Sequence, residues 1–364
     1  MSNETAAFAL AVPFHNEERY LPRLIASLRE QRGPEVPVVF VDNASTDGSA
    51  ALVRRCAETR AGRWVCLEER RVGKFHAMKT ATAFAAERYG ARCMGFLDAD
   101  AYCTTPDWLS RGIDIVRHAG DRLGYTYSPF SYEGFDHLTT FAAAYRAYEA
   151  VLWRLVYEVG WLANGQGFFC PVEVLRRYFE RAEVRAEIDL RLSLLALLDG
   201  KRGYLHPTPI RSSGRRMIVN AKNFAEWCFY GEDFYVRKDI NAADKLDLNA
   251  PEPIQDLPGE MVDQFFERRA LKLVVRHVIP LLVVERDSRG LERMQAVLGS
   301  ALSGGAARRL SEMSLTVEQV LGAGLDEFAR AIEKDPASIE LTQSIAARMR
   351  EQYESEAQPL ISAG

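Results

Sequence analysis

The chain has 364 residues, of which 48% are hydrophobic and 26% charged, and its formal net charge is -4. That length suits one large domain with an appendage, and the charge excludes bulk attraction to nucleic acid or to an anionic membrane. Six cysteines without a CxxC pair exclude a zinc array and read as reduced, mostly buried thiols.

The N-terminus MSNETAAFALAVPF has no basic start of a signal peptide. No window reaches the roughly 20 apolar residues of a spanning helix. The nearest, LKLVVRHVIPLLVV (271–284), carries Lys272, Arg276, His277 and Pro280 and reads as core. The expected location is cytoplasmic, with peripheral contact at the inner face of a membrane allowed.

The elements alternate from the start. FALAVPF (8–14) predicts a strand, 18–31 a helix on Leu21, Leu24, Ile25 and Leu28, and VPVVFVDN (36–43) a strand covered on both faces. A helix over 49–59 follows the capping residues STDGS. WVCLEE (64–69) predicts a strand, 73–89 a helix and CMGFLDAD (93–100) a fourth strand. Such alternation predicts an α/β fold with a mostly parallel sheet flanked by helices. Farther on, 138–160 reads as an aromatic-rich helix, ANGQGFFCP (163–171) as a glycine-bearing loop, and 172–181 as a helix. A helix within 186–207 ends near Gly200 and leads into a short strand. LDLNAPEPIQDLPGE (246–260) is linker-like, and the remainder is helical. The expected domains are 1–220, a linker over 221–260, and a helical C-terminal extension over 261–364.

Chemistry concentrates where strands end, as ligands do in such sheets. Asp98 and Asp100 follow an apolar approach, and in an extended segment both side chains point to one side and repel unless a cation separates them. Two carboxylates there suit a hard divalent ion, Mg²⁺ or Mn²⁺, completed by substrate phosphates. In PFHNEE, Glu17 can accept from a ribose or base, and in VDNASTDGS, Asp42 can bond a base N–H. In RRVGKFHA, Arg71 and Lys74 can meet phosphate oxygens near a helix N-terminus. Taken singly, each has a plain alternative as a cap, turn or solvated charge.

Taken in order, VPFHNEERYLPRLIASL, VVFVDNASTDGS, RRVGKFHAM and FLDADA resemble the successive signature segments of the family 2 glycosyltransferases of the GT-A fold, over roughly residues 8–215. The resemblance implies a nucleotide half with Pro13, Glu17 and Asp42 near the nucleoside and Lys74 near base or phosphates. It puts the DxD motif on Asp98, Ala99 and Asp100, with Asp100 the more direct metal ligand. Asn43 stands where the family often has an acid. In the second half, AEIDLRLSLLALLDGKRGYLHPTPIRSSGRR resembles the family's EDxDL segment. Aligning on Leu190 puts Glu187 at the catalytic-base position, with Asp189 two residues on and Ala186 where an acid is usual. Either acid then qualifies as base, and Glu187 is favoured.

The resemblance also implies that Asn164, Gly165 and Gln166 lie near the sugar or acceptor, that His206 is a third metal ligand, and that Arg215 and Arg216 close over the diphosphate. His206 reads equally as an ordinary histidine beside Pro207. The implied partners are a UDP- or GDP-type sugar donor and a saccharide, lipid-linked or small-molecule acceptor, with an inverting course. A sugar nucleotidyltransferase is the second enzyme reading, but PFHNEE stands where such enzymes place a glycine-rich loop. An inactive nucleotide-sugar-binding protein is the reading from another class.

Overall fold

The computed structural model describes residues 8–60, 62–158, 165–218, 224, 228, 255–284, 312–313 and 315–361. In chain order the elements begin β1 (Phe8–Phe14), α1 (Leu21–Arg29), β2 (Val38–Asp42), α2 (Ser49–Glu58), β3 (Trp64–Glu68), α3 (Lys74–Tyr89), β4 (Cys93–Leu97), β5 (Ala101–Cys103) and α4 (Trp108–Ala119). They continue with β6 (Leu123–Tyr127), β7 (Phe130–Glu133), α5 (Thr139–Leu152), β8 (Gly167–Pro171), α6 (Val172–Arg181), α7 (Ile188–Leu198), β9 (Arg202–Leu205) and β10 (Ile210–Ser213).

The contacts divide the chain into two compact units, 1–132 with 161–213, and 133–160 with 214–364. In the first, five strands run in the order β3-β2-β1-β4-β8. The first four are parallel and β8 is antiparallel to β4, with Leu97 opposite Gly167. The α/β class with a mostly parallel sheet is thus as expected. Alternation along β1 sends Phe8, Leu10, Val12 and Phe14 into the main core, with Leu21, Leu24 and Ile25 of α1 and Trp108 and Ile113 of α4. Small Ala9 and Ala11 alternate with them, and α3, carrying buried Ala77, Met78, Ala81 and Ala85, packs on β1 and β2. This seats the start of α3 at the carboxyl end of the sheet.

Two expectations change here. The segment 163–171 is not all loop, because its apolar half forms β8 and completes the sheet. The segment 93–100 is not strand to its end: β4 stops at Leu97, and the Ala101 N–H bonds back to the Asp98 carbonyl at 3.0 Å, closing a turn.

The second unit does not follow a boundary at 220. Its helix α5 packs with the helices Val262–Leu273 and Pro336–Ile361 through an aromatic face, where Phe141 meets Phe265 at 6.1 Å and Phe224 at 4.8 Å between ring centres. The start of α5 has no cap of its own, and Asp256 supplies one, accepting from the N–H groups of Thr140 (2.8 Å) and Phe141 (2.9 Å). Most of the expected linker lies outside the described residues. No helix among the described residues is long and apolar enough to cross a membrane. The described cysteines are all free, and burial pushes the Cys103 thiol up to about 12.

Candidate active site

The loops after β1 and β2 interlock. Asn16, in the left-handed region at φ 54, accepts on Oδ1 from the Thr46 N–H (2.7 Å), and its own N–H donates to Ser45 Oγ (3.1 Å). The Glu17 N–H donates to Ser49 Oγ at 2.7 Å. Asp42 closes its own turn by accepting from the Ser45 N–H at 3.0 Å. The result is a pair of carboxylates, Glu17 and Asp42, buried at adjacent strand ends with 5% exposure each. Buried acids at such a place suit hydrogen-bond acceptance from a ligand's hydroxyl or N–H groups. Pro13 precedes them in β1, paired with Val41.

Asn43 is the residue whose role the sequence concealed. Its amide donates to the carbonyls of Glu69 (3.0 Å) and Arg71 (2.8 Å), and its Oδ1 accepts from the Gly73 N–H at 2.7 Å. An acid cannot supply those two donors, which explains why an amide stands here. The bond to Gly73, whose φ of 127 demands glycine, fixes the point where α3 starts.

Lys74, the first residue of α3, reaches into the centre of the cluster. Its Nζ lies 2.5 Å from Asp98 Oδ1 and 2.8 Å from the Gly165 carbonyl oxygen. The Gly165 N–H donates to Asp189 Oδ2 at 3.2 Å. Asp98, Lys74, Gly165 and Asp189 therefore form one connected series across four segments of the chain. A Cβ added at Gly165 would stand 3.4 Å from both Lys74 Nζ and Asp189 Oδ2, so glycine keeps the space between cation and acid open. Gln166 is held beside it, its carbonyl accepting from the Asp98 N–H (3.0 Å) and its amide donating to the Tyr132 hydroxyl (2.6 Å).

The two aspartates of the couplet are held separately by the turn. Asp98 pairs with Lys74, and Asp100 accepts from Ser212 Oγ at 3.3 Å, a contact set by the pairing of β5 with β10. No set of three or more His, Cys, Asp and Glu side chains among the described residues forms a closed metal cage. Two hard carboxylates without a third protein ligand fit Mg²⁺ or Mn²⁺ completed by substrate phosphates, and do not fit a structural zinc site.

Glu187 and Asp189 open α7. Glu187 is its N-cap at φ 50, ψ 48, a left-handed conformation that costs a non-glycine residue about 1–3 kcal/mol. The non-glycine residues at positive φ among the described residues are Asn16, Ala44 and Glu187. All three lie in the loops that carry the candidate site.

Two expected residues have other partners. His206 is fully buried, stacked on Trp108 and Phe169, with Nε2 on the Trp108 carbonyl (2.8 Å) and Nδ1 accepting from the Thr208 N–H (3.1 Å). Both ring nitrogens are spent on backbone and neither offers a lone pair to a metal, so His206 is a core residue, not a third ligand. Burial lowers its pKa to about 4, keeping the ring neutral. Arg71 is clasped by Glu69 through Nε (2.9 Å) and Nη2 (2.8 Å), so its fork faces a protein carboxylate instead of a phosphate. Arg215 lies in the turn Gly214–Met217, which belongs to the second unit. Asn164 and the side chain of Arg216 lie outside the described residues.

One contact had no signal in the sequence. Arg185 Nη1 donates to His76 Nε2 at 2.7 Å, and its guanidinium sits 5.5 Å over the Phe75 ring. It ties the loop before Glu187 to the first turn of α3, across 109 residues of chain.

Glycosyltransferase AglE of Haloferax volcanii is 24% identical over 123 residues, 33% of this chain and 38% of that protein, so the match spans well under half the relative's length. Among solved structures, the mannosyltransferase PcManGT of Pyrobaculum calidifontis, in complex with GDP-Man and Mn²⁺, is 18% identical with a TM-score of 0.47 over 95% of this chain and 85% of that one. TarS 1–349 of S. aureus in complex with UDP-GlcNAc is 16% identical with a TM-score of 0.44 over 97% and 92%. Residues 9–179 match the family model described as Glycosyl transferase family 2.

Proposed function

We propose that the chain transfers a sugar from a UDP- or GDP-type donor to an acceptor hydroxyl, with inversion and with Mg²⁺ or Mn²⁺ as cofactor. The observation that carries this reading is the connected series Asp98, Lys74, Gly165 and Asp189, built where the family motif ends its fourth strand. Asp98 and Asp100 are the residues that would hold the divalent ion, and the ion would supply positive charge opposite the departing diphosphate. Lys74 adds a second positive charge on the same side. Glu17 and Asp42 accept hydrogen bonds from the nucleoside. Gly165 leaves room for the sugar between Lys74 and the acids of α7.

Glu187 takes the base role and Asp189 the positioning role. Asp189 already accepts a backbone N–H, which engages one of its oxygens and fixes the carboxylate in place. In the transfer the acceptor oxygen forms a bond to the anomeric carbon as the bond from that carbon to the phosphate oxygen breaks. The electron pair leaves with the diphosphate, and the hydroxyl proton goes to Glu187. One base acting opposite the leaving group gives inversion. The acceptor is a saccharide, a lipid-linked sugar or a small molecule bearing a hydroxyl.

The test is a panel of UDP- and GDP-sugars with Mn²⁺, read first as thermal stabilisation and then as turnover. At least one donor should stabilise the wild type. Asp100→Ala should lose the Mn²⁺-dependent part of that stabilisation. Glu187→Gln should keep it and lose roughly 10²- to 10⁴-fold in transfer. A wild type that no donor stabilises would sink the proposal, and Glu187→Gln with full turnover would move the base to Asp189.

A further inference from the structure

Asp98 already has a cation of its own, because Lys74 Nζ lies 2.5 Å from its Oδ1. An ammonium and a divalent ion held on one carboxylate repel each other strongly. Lys74 has a second reason to stay, since it also donates to the Gly165 carbonyl. It also has the means to leave. It begins α3 directly after Gly73, carries its charge on a flexible four-carbon stem, and its side chain is 36% exposed.

We propose that Lys74 is a positioning residue that acts as the internal counter-ion of Asp98, so that divalent ion and nucleoside diphosphate load together and not singly. The inference rests on the glycosyl-transfer reading. An ion arriving by itself must strip Lys74 from Asp98 and leave the ammonium without an anion. A diphosphate arriving with the ion gives that ammonium a new partner as the ion takes the carboxylate. When Lys74 turns to the phosphate it also lets go of the Gly165 carbonyl, and Gly165 is the residue whose N–H holds Asp189. Loading of the donor is in this way felt by the segment that faces the acceptor side.

The experiment is Mn²⁺ binding to the full chain, followed by the electron paramagnetic resonance signal of the free ion, with and without UDP or GDP. In the wild type the diphosphate should tighten Mn²⁺ by about tenfold or more, as expected for exchange of one close charge pair. Lys74→Met should bind Mn²⁺ alone at least about fivefold tighter than the wild type and gain less from the diphosphate. Lys74→Arg, which keeps the charge, should bind Mn²⁺ alone as weakly as the wild type. A purely structural lysine would not give tighter ion binding on removal. If Lys74→Met does not fold by circular dichroism, Lys74→Gln carries the same expectation. Lys74→Met or Lys74→Gln binding Mn²⁺ alone no tighter than the wild type overturns the inference while leaving the glycosyl-transfer reading intact. A wild type that binds Mn²⁺ neither alone nor with either diphosphate overturns both.

Discussion

The N–H of Gly165 donates to Asp189 Oδ2 at 3.2 Å, joining the approach to β8 with the first turn of α7 across 24 residues of chain. Gly165→Ala would put a methyl group 3.4 Å from that oxygen and 3.4 Å from Lys74 Nζ, an ordinary van der Waals separation that needs no backbone shift. The variant should therefore fold with stability within about 1 kcal/mol of the wild type. Transfer should fall by about tenfold or more, because the methyl occupies the space proposed for the sugar. Denaturant unfolding beside donor turnover separates the two effects, and unchanged turnover would remove Gly165 from the site.

Asn43 gives a prediction of the opposite kind, in which stability moves first. Asn43→Asp keeps the acceptor for the Gly73 N–H but loses both donors, to Glu69 and Arg71, and sets a charge against two carbonyl oxygens. The cost should be about 1–3 kcal/mol in denaturant unfolding at pH 7. Placing an acid at position 43 should thus harm this chain, and an unchanged midpoint would show that the three bonds matter little.

How much of this was legible in the sequence follows from where the information sits. Strands β1 to β4 and helices α1 to α3 were readable because each is a local apolar run or helical repeat ended by polar residues. The same local pattern marked Glu17, Asp42, Lys74 and the Asp98–Asp100 couplet. What could not be read were the long-range partners. Nothing near Asp98 announces Lys74, nothing near Arg71 distinguishes Glu69 from a phosphate, and His206 looks like a ligand until Trp108 and Phe169 enclose it. Strand β8 was hidden for another reason: its glycine, needed where Ile210 and Leu97 approach within 3.0 Å of a Cβ position, imitates a loop signal.

Arg71 and Lys74 stand three residues apart and should respond differently to the same change. The bidentate bond from Arg71, aided by Thr80 at 2.6 Å, holds the Glu69 carboxyl down at about 2. Arg71→Met should leave diphosphate affinity in the presence of Mn²⁺ within about threefold of the wild type, while Lys74→Met should weaken it by roughly tenfold. Calorimetric titration of UDP and GDP decides the matter, and equal losses would mean that Arg71 leaves Glu69 to serve the ligand.

His206 predicts how the first unit responds to acid. Its pKa is near 4 in the folded chain, against 6.5 for the unshifted ring, because burial between Trp108 and Phe169 disfavours the imidazolium. The unfolded chain therefore binds a proton that the folded chain refuses between these values. The stability His206 contributes is complete above pH 6.5 and is lost as the pH falls toward 4, by up to about 3 kcal/mol. Burial and Arg185 lower the pKa of His76 too and give it the same sign, so a variant is needed to isolate the effect. His206→Gln should cost about 1–3 kcal/mol at pH 7, through the backbone bonds it makes imperfectly, and should flatten the decline between pH 6.5 and 4. It should leave Mn²⁺ binding in the presence of UDP or GDP within about twofold of the wild type, in contrast to Asp100→Ala. A folded His206→Gln that no longer binds the ion would return this histidine from the core to the metal site.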